Sequence, residues 1–229
     1  MTEYQIGVDE AGKGPVLGPM VAAAVRADED DLPADVADSK DLTESTRESI
    51  AAALRESAAV DIGLGVVTTD EIDAPETDMN GLTVTAQVRA LGDVAGDGDR
   101  ALVDAGDVSE SRFARRVREG VADGGAETDG DSESGVAIDV TAEHGADESS
   151  RLVGAASVVA KVERDRRIAA IAEEYDSDIG SGYPSDPTTR DFLADYVDEY
   201  GDLPDCARRS WSTCEDVLSA AEQSGLEEF

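Results

Sequence analysis

Apolar residues recur along this chain in two rhythms, a two-residue alternation and a helical spacing, and their succession predicts an α/β layer fold. Residues 3–9 read as a strand ending at Asp9-Glu10, and Met20–Val25 is a run of small apolar residues suited to a buried strand. After a polar stretch at 27–42, Thr43 is placed to cap a helix over Glu44–Ala58. A strand at Val60–Thr68, a helix at Asp78–Val94 and a short strand at Ala101–Asp104 come next. Ser109 opens a helix to about Val121, and residues 136–142 form the fifth strand. A long helix at Leu152–Tyr175, a Gly/Pro loop at Ile179–Pro187 and helices near 188–199 and 213–224 complete the chain. Three early strands followed by alternating helices and strands imply one mixed sheet flanked by helices.

Residues 122–135 (ADGGAETDGDSESG) break this pattern with a Gly-rich acidic run, which reads as a surface insertion. Composition narrows the core: hydrophobic residues make up 40% of the 229 but aromatics only 4%, so Ala, Val, Ile and Leu must fill it. Asp and Glu number 53 against 19 Lys and Arg, a formal net charge of −34. That balance alone argues against a nucleic-acid binder. The 19 cations divide into 16 Arg and only 3 Lys. An acidic, lysine-poor surface suits concentrated salt, where the Debye length falls to roughly 3 Å at 1 M. Two Cys, no leader-like start and no run of about 18 apolar residues point to a reduced, cytoplasmic protein outside the membrane.

Chemistry concentrates in a few segments. In Asp9-Glu10-Ala11-Gly12-Lys13-Gly14-Pro15, the two acids alternate in direction on a regular strand, so both serve one site only if the strand is ending. The glycines open the backbone to a ligand and Lys13 adds a cation for an anion. Asp104 closes an apolar run, at the strand edge where α/β sheets place ligands. Asp147 lies in Glu143-His144-Gly145-Ala146-Asp147, just before the long helix. Asp9, Glu10, Asp104 and Asp147 together make an all-oxygen set suited to Mg²⁺ or Mn²⁺. His144, the only His, reads equally as structural, as a proton-transfer helper or as a ligand. The three lysines, Lys13, Lys40 and Lys161, sit only in such segments, and compact cations suit phosphates. Arg112, Arg115, Arg116 and Arg118 read as a solvated helical face, and Tyr183 in Gly180–Asp186 as a ring that can stack on a base or sugar.

These segments, in this order, resemble ribonuclease HII of the archaeal type. The likeness is carried by Gly7–Val16, Asp38–Leu42, Val103–Ala105, Glu143–Asp147, Ala155–Asp165, Gly180–Asp186 and Arg209–Trp211, although Lys13 stands where many relatives have Arg. The resemblance implies a ribonuclease H-like fold with a mixed five-stranded sheet. Residues 1–175 would form the catalytic domain, and 176–229 a C-terminal helical extension packed on it. It implies two-metal cleavage, with Mn²⁺ or Mg²⁺, of RNA in RNA–DNA hybrids and of single ribonucleotides in duplex DNA, leaving 5′-phosphate and 3′-hydroxyl ends. Asp9, Glu10, Asp104 and Asp147 would hold the metal. Gly12, Lys13 and Gly14 would read the ribose 2′-hydroxyl, Tyr183 would pack on the sugar, and Ser39, Lys40, Ser157 and Lys161 would contact the backbone. A monomer is expected.

Overall fold

Which face of the sheet each strand residue covers follows from the two-residue alternation, and that alternation decides where the acids point. The computed structural model describes residues 5–36, 42–124 and 135–227, with side chains to 223. Ser39, Lys40 and most of the 122–135 run lie outside the described residues. The strands are β1 (Ile6–Ala11), β2 (Met20–Arg26), β3 (Asp61–Val67), β4 (Arg100–Asp104) and β5 (Asp139–Glu143). They form one mixed sheet in the order β3-β2-β1-β4-β5. β1 runs antiparallel to β2 and parallel to β4; β2–β3 is antiparallel and β4–β5 parallel. The helices are α1 (Glu44–Glu56), α2 (Thr69–Asp73), α3 (Met79–Gly92), α4 (Glu110–Ala122), α5 (Ala146–Ser149), α6 (Arg151–Glu174), α7 (Pro187–Tyr200) and α8 (Ser212–Glu227).

One face of the sheet, with Ile6, Val8, Met20, Ala22 and Ala24, packs on α3 and α4 through Leu82, Ala86, Leu91, Phe113 and Val117. The other, with Ala23 and Val25, packs on α1 and α6 through Ile50, Leu54, Leu152, Ala155 and Val159. The small strand residues let helices lie close. At Gly7 an added Cβ would sit 2.2 Å from the carbonyl carbon of Leu152, so α6 begins directly against β1. Side-chain caps start the helices as expected: Thr43 accepts from the Thr46 N–H and Ser109 from the Arg112 N–H.

α7 and α8 build a third cluster in which Phe192, Leu193, Val197, Cys206 and Cys214 enclose Val16, Leu17 and Ile168. The segment after β1 is thus buried against the C-terminal region. Both cysteines there are free thiols. Among the described residues no helix is long and apolar enough to cross a membrane.

Most element ends shift by one to three residues from the sequence reading, as β5 does at Asp139–Glu143 instead of 136–142, and three differences bear on the site. β1 spans Ile6–Ala11 instead of 3–9, because Glu10 and Ala11 continue the ladder opposite Ala22 and Val21. α2 was not anticipated; its five residues are held by a Thr68–Glu71 capping box, a signal too short for periodicity to show. The long helix begins at Arg151, with α5 as a separate turn before it.

Candidate active site

β1 does not end at Asp9-Glu10, yet both acids reach one place. Asp9 lies opposite Ala23 and faces the α6 side; Glu10 lies opposite Ala22 and faces the α3 side. The β1–β4 pairing stops at Val8–Val103, and β4 ends one residue later at Asp104. Beyond Val8, β1 has no β4 neighbour, and the acids of its two faces meet around the open end of β4. They lie near enough to act on one another: the charges of Glu10 and Asp104 both raise Asp9, and that of Asp147 raises Asp104.

Each carboxylate is held from behind. Asp9 is 7% exposed, accepts from the Glu10 N–H at 2.7 Å, and hydrogen-bonds the Ser157 side chain of α6. Lys161 Nζ donates to that Ser157 hydroxyl at 2.7 Å. Burial, then the neighbouring Glu10 charge, pushes the Asp9 carboxyl up to about 8. Glu10 is also raised by burial, against the opposing pull of Lys13, whose Nζ lies 3.4 Å away, and of Gln87, whose Nε2 donates at 2.8 Å. Lys13 Nζ also donates to the Gly106 carbonyl at 3.2 Å. Asp104 Oδ1 accepts from the Ala146 N–H at 2.8 Å, tying β4 to the turn that carries Asp147. Burial raises Asp104 despite that bond.

These four carboxylates offer oxygen ligands only, as hard divalent cations prefer. Among the described residues no group of three or more acidic, His or Cys side chains is closed enough to hold a metal ion as it stands. Like charges in a buried site oppose closure, and a cation would replace the proton that the raised Asp9 carboxyl retains near neutral pH.

The glycine loop forms the adjoining rim. Gly12 has φ +94°, and a Cβ there would meet Arg164 Cδ at 2.8 Å, so only glycine fits. At Gly14 a Cβ would meet only the Tyr183 ring, at 3.7 Å. Tyr183 is 41% exposed, with the Arg164 guanidinium carbon 5.3 Å from its ring centroid. His144 bridges α4 and the β4–α4 connection: Nδ1 lies 2.8 Å from Glu110 Oε1 and Nε2 2.8 Å from the Asp107 carbonyl.

Of the sequence candidates, the structure brings together Asp9, Glu10, Asp104, Asp147, Gly12, Lys13, Gly14 and Tyr183. Ser157 and Lys161 stand behind Asp9, and Ser157 is fully buried. Three supporting residues escaped the sequence reading. Gln87 is buried in α3 and also donates to the Asp104 carbonyl at 3.0 Å. Arg208 is buried under the glycine loop. Arg164 is buried, while its neighbours Arg166 and Arg167 pair with Glu163. A lone Gln on an apolar helix face was the only available signal.

A family model described as ribonuclease HII matches residues 6–214. A ribonuclease HII of Haloarcula marismortui is 58% identical over 225 residues, covering 98% of this chain and 100% of its own length. The crystal structure of ribonuclease H2 from Pyrococcus horikoshii OT3 superposes with a TM-score of 0.79 at 36% identity, over 95% of this chain and 98% of that one. The RNase HII of Archaeoglobus fulgidus, solved in complex with PCNA, gives 0.76 at 35% identity over 91% and 95%. Family match, near full-length identity and a shared ribonuclease H-like fold agree with the grouped carboxylates: the chain belongs to the ribonuclease HII family and is a ribonuclease H of type 2.

Proposed function

We propose that this enzyme cuts the RNA strand of RNA–DNA hybrids and single ribonucleotides embedded in duplex DNA, leaving 5′-phosphate and 3′-hydroxyl ends. The observation that carries this reading is the convergence of Asp9, Glu10, Asp104 and Asp147 beside the Gly12-Lys13-Gly14 loop and Tyr183. The four carboxylates would hold Mn²⁺ or Mg²⁺. When bound, such cations supply Lewis-acid chemistry, acidifying a water and neutralising charge on the phosphate.

The chain's own groups do the rest. Ser157 and Lys161 fix the Asp9 carboxyl, which would give up its proton on holding a cation. Lys13 and Gln87 hold Glu10, and the Ala146 amide holds Asp104. The glycine loop brings backbone donors to a ribose hydroxyl, and a site built around a hydroxyl rejects a sugar lacking it because its polar groups stay unpaired. Tyr183, exposed beside Gly14, presents a ring for the sugar to pack on. The remaining expectations fit this reading: a catalytic unit at 1–175 with a C-terminal extension, and a cytoplasmic monomer working in concentrated salt.

The test is cleavage of a duplex carrying one ribonucleotide, with Mn²⁺ or Mg²⁺ in molar KCl. The expected products are a single cut and a 5′-phosphate end that a ligase accepts. No cleavage, or equal cutting of an all-DNA duplex, overturns the reading.

A further inference from the structure

Arg208 is fully buried, and among the described residues every hydrogen-bond partner of its guanidinium is a backbone carbonyl. Nε donates to Gly18 at 2.9 Å, Nη1 to Lys13 at 3.1 Å and Nη2 to Gly12 at 2.6 Å. Its own N–H donates to the Val16 carbonyl at 2.8 Å, next to the Leu17–Ala207 bridge. Trp211 stacks on the guanidinium at 5.1 Å and donates its indole N–H to Gly14 at 3.4 Å. Burial and the nearby Arg164 push Arg208 down to about 10, so it stays charged at any working pH.

An arginine with five N–H groups in a rigid fork is suited to gathering several acceptors at once. Here it gathers the carbonyls of consecutive loop residues. In a planar trans peptide the C=O of one residue and the N–H of the next point in opposite directions. Drawing the Gly12 and Lys13 carbonyls inward therefore turns the Lys13 and Gly14 N–H groups outward, side by side and next to Tyr183. The Gly14 carbonyl is drawn in as well, and the residue after it, Pro15, has no N–H to present. Arg164 props the loop from the α6 side, its Cδ and Nε filling the space a Gly12 Cβ would take.

We propose that Arg208 is a positioning residue for ribonucleotide recognition: by pinning the Gly12 and Lys13 carbonyls it aims the two outward amides at the sugar and its flanking phosphate. This rests on the ribonucleotide-cleaving reading above. The experiment compares wild type, Arg208→Met and Arg208→Lys on a duplex with one ribonucleotide, with the all-DNA duplex as competitive inhibitor. The ratio of the inhibitor's Ki to the substrate's KM measures preference for the hydroxyl.

That ratio should fall on the order of 30-fold in Arg208→Met, equivalent to about 2 kcal/mol at 1.4 kcal/mol per tenfold. Arg208→Lys, which keeps the charge but cannot span three carbonyls, should recover only part of it. The half-saturating Mn²⁺ concentration should not move. If Arg208→Met does not fold, Arg208→Lys alone decides, with a ratio below wild type expected. An undiminished ratio in a folded variant overturns the proposal. So does a weakening of Mn²⁺ dependence that matches the loss, which would place the effect at the carboxylates. A wild type without any ratio above one overturns the underlying reading instead.

Discussion

On the β1–β4 side of the site, the buried carboxylates of Asp9 and Glu10 meet the half-buried Asp104. Across Lys13, Arg164 and Arg208 are cations buried among carbonyls. Both arrangements cost solvation, but they settle that cost differently. The acids remain short of positive charge, so protons or cations must come and go there. Arg208 is satisfied by fixed dipoles and stays charged, so the loop it holds keeps its shape whatever the pH or metal. One rim is built for exchange and the other for permanence. Removing charge from the first should then cost activity without costing stability, whereas disturbing the buried inner side of the second should cost both.

The largest effect expected from that contrast is at Asp9. Asp9→Asn should lower turnover on the order of 10³-fold or more, as losing one electrostatic partner of a transition state does. The metal-free protein should meanwhile become more stable near pH 8. The sign follows from the raised carboxyl. Between about 4 and 8 the folded Asp9 holds a proton that the unfolded chain has lost, so stability falls as pH rises through that window and levels above it. Urea unfolding of chelator-treated protein across pH should show that slope in the wild type and a flatter one in Asp9→Asn. A variant less stable than wild type at pH 8 would break the contrast.

The two loop glycines separate the rims from the other direction. Gly12→Ala forces a side chain onto a φ of +94° and into Arg164, which should cost about 1–3 kcal/mol. For a chain of this length that is a drop of roughly 2–4 °C in Tm per kcal/mol. Gly14→Ala meets only Tyr183 at ordinary contact distance, so its melting should match wild type. Its cleavage of an embedded ribonucleotide should still fall on the order of 10-fold, because the methyl group intrudes where the substrate approaches. Equal loss of stability in both would show that the loop's outer side is structural too.

Salt should produce a smaller, several-fold change. Counterion release normally weakens nucleic-acid binding as salt rises, but a chain of net charge −34 also repels phosphates through its surface. Activity measured from low to molar KCl should therefore rise before it falls. A monotonic loss would show that the surface charge is not matched to concentrated salt.

The exchangeable rim was far more legible in the sequence than the permanent one. Asp9, Glu10 and Asp104 stand at the ends of apolar runs, where a charge is out of place unless it has work to do. The glycines of the loop announce themselves by type. The supports do not. Arg208 and Arg209 are adjacent and chemically identical, yet Arg208 is fully buried while Arg209 pairs with Asp202 in the open. Only the Leu17–Ala207 bridge and the packing of α7 and α8 separate their fates. Gln87 resembles any polar helix residue until β1 and β4 are placed beside it. The end of β1 was placed too early for a related reason: Ala11 before the glycines looks like the start of a turn, and the ladder to β2 overrides that appearance.

His144 belongs to neither rim and tests how finely their boundary is drawn. Its two ring nitrogens face acceptors only, the Glu110 carboxylate and the Asp107 carbonyl, so both contacts are hydrogen bonds only when the ring carries two protons. Accordingly the bond to the Asp107 carbonyl, then that to Glu110, raises its pKa above 6.5. The groups around it are Glu110 on α4, Asp107, itself paired with Arg112, and Asp104 on β4. Because the folded value is raised, the clamp stabilises the protein fully below 6.5 and is lost as pH rises through the folded pKa. As the only His, it gives one resolved imidazole signal in a proton NMR titration. That signal should titrate above 6.5 in the wild type and move back toward it in Glu110→Gln, with cleavage falling only a few-fold. A titration at or below 6.5 would mean that the clamp between α4 and the Asp147 turn is not held by charge.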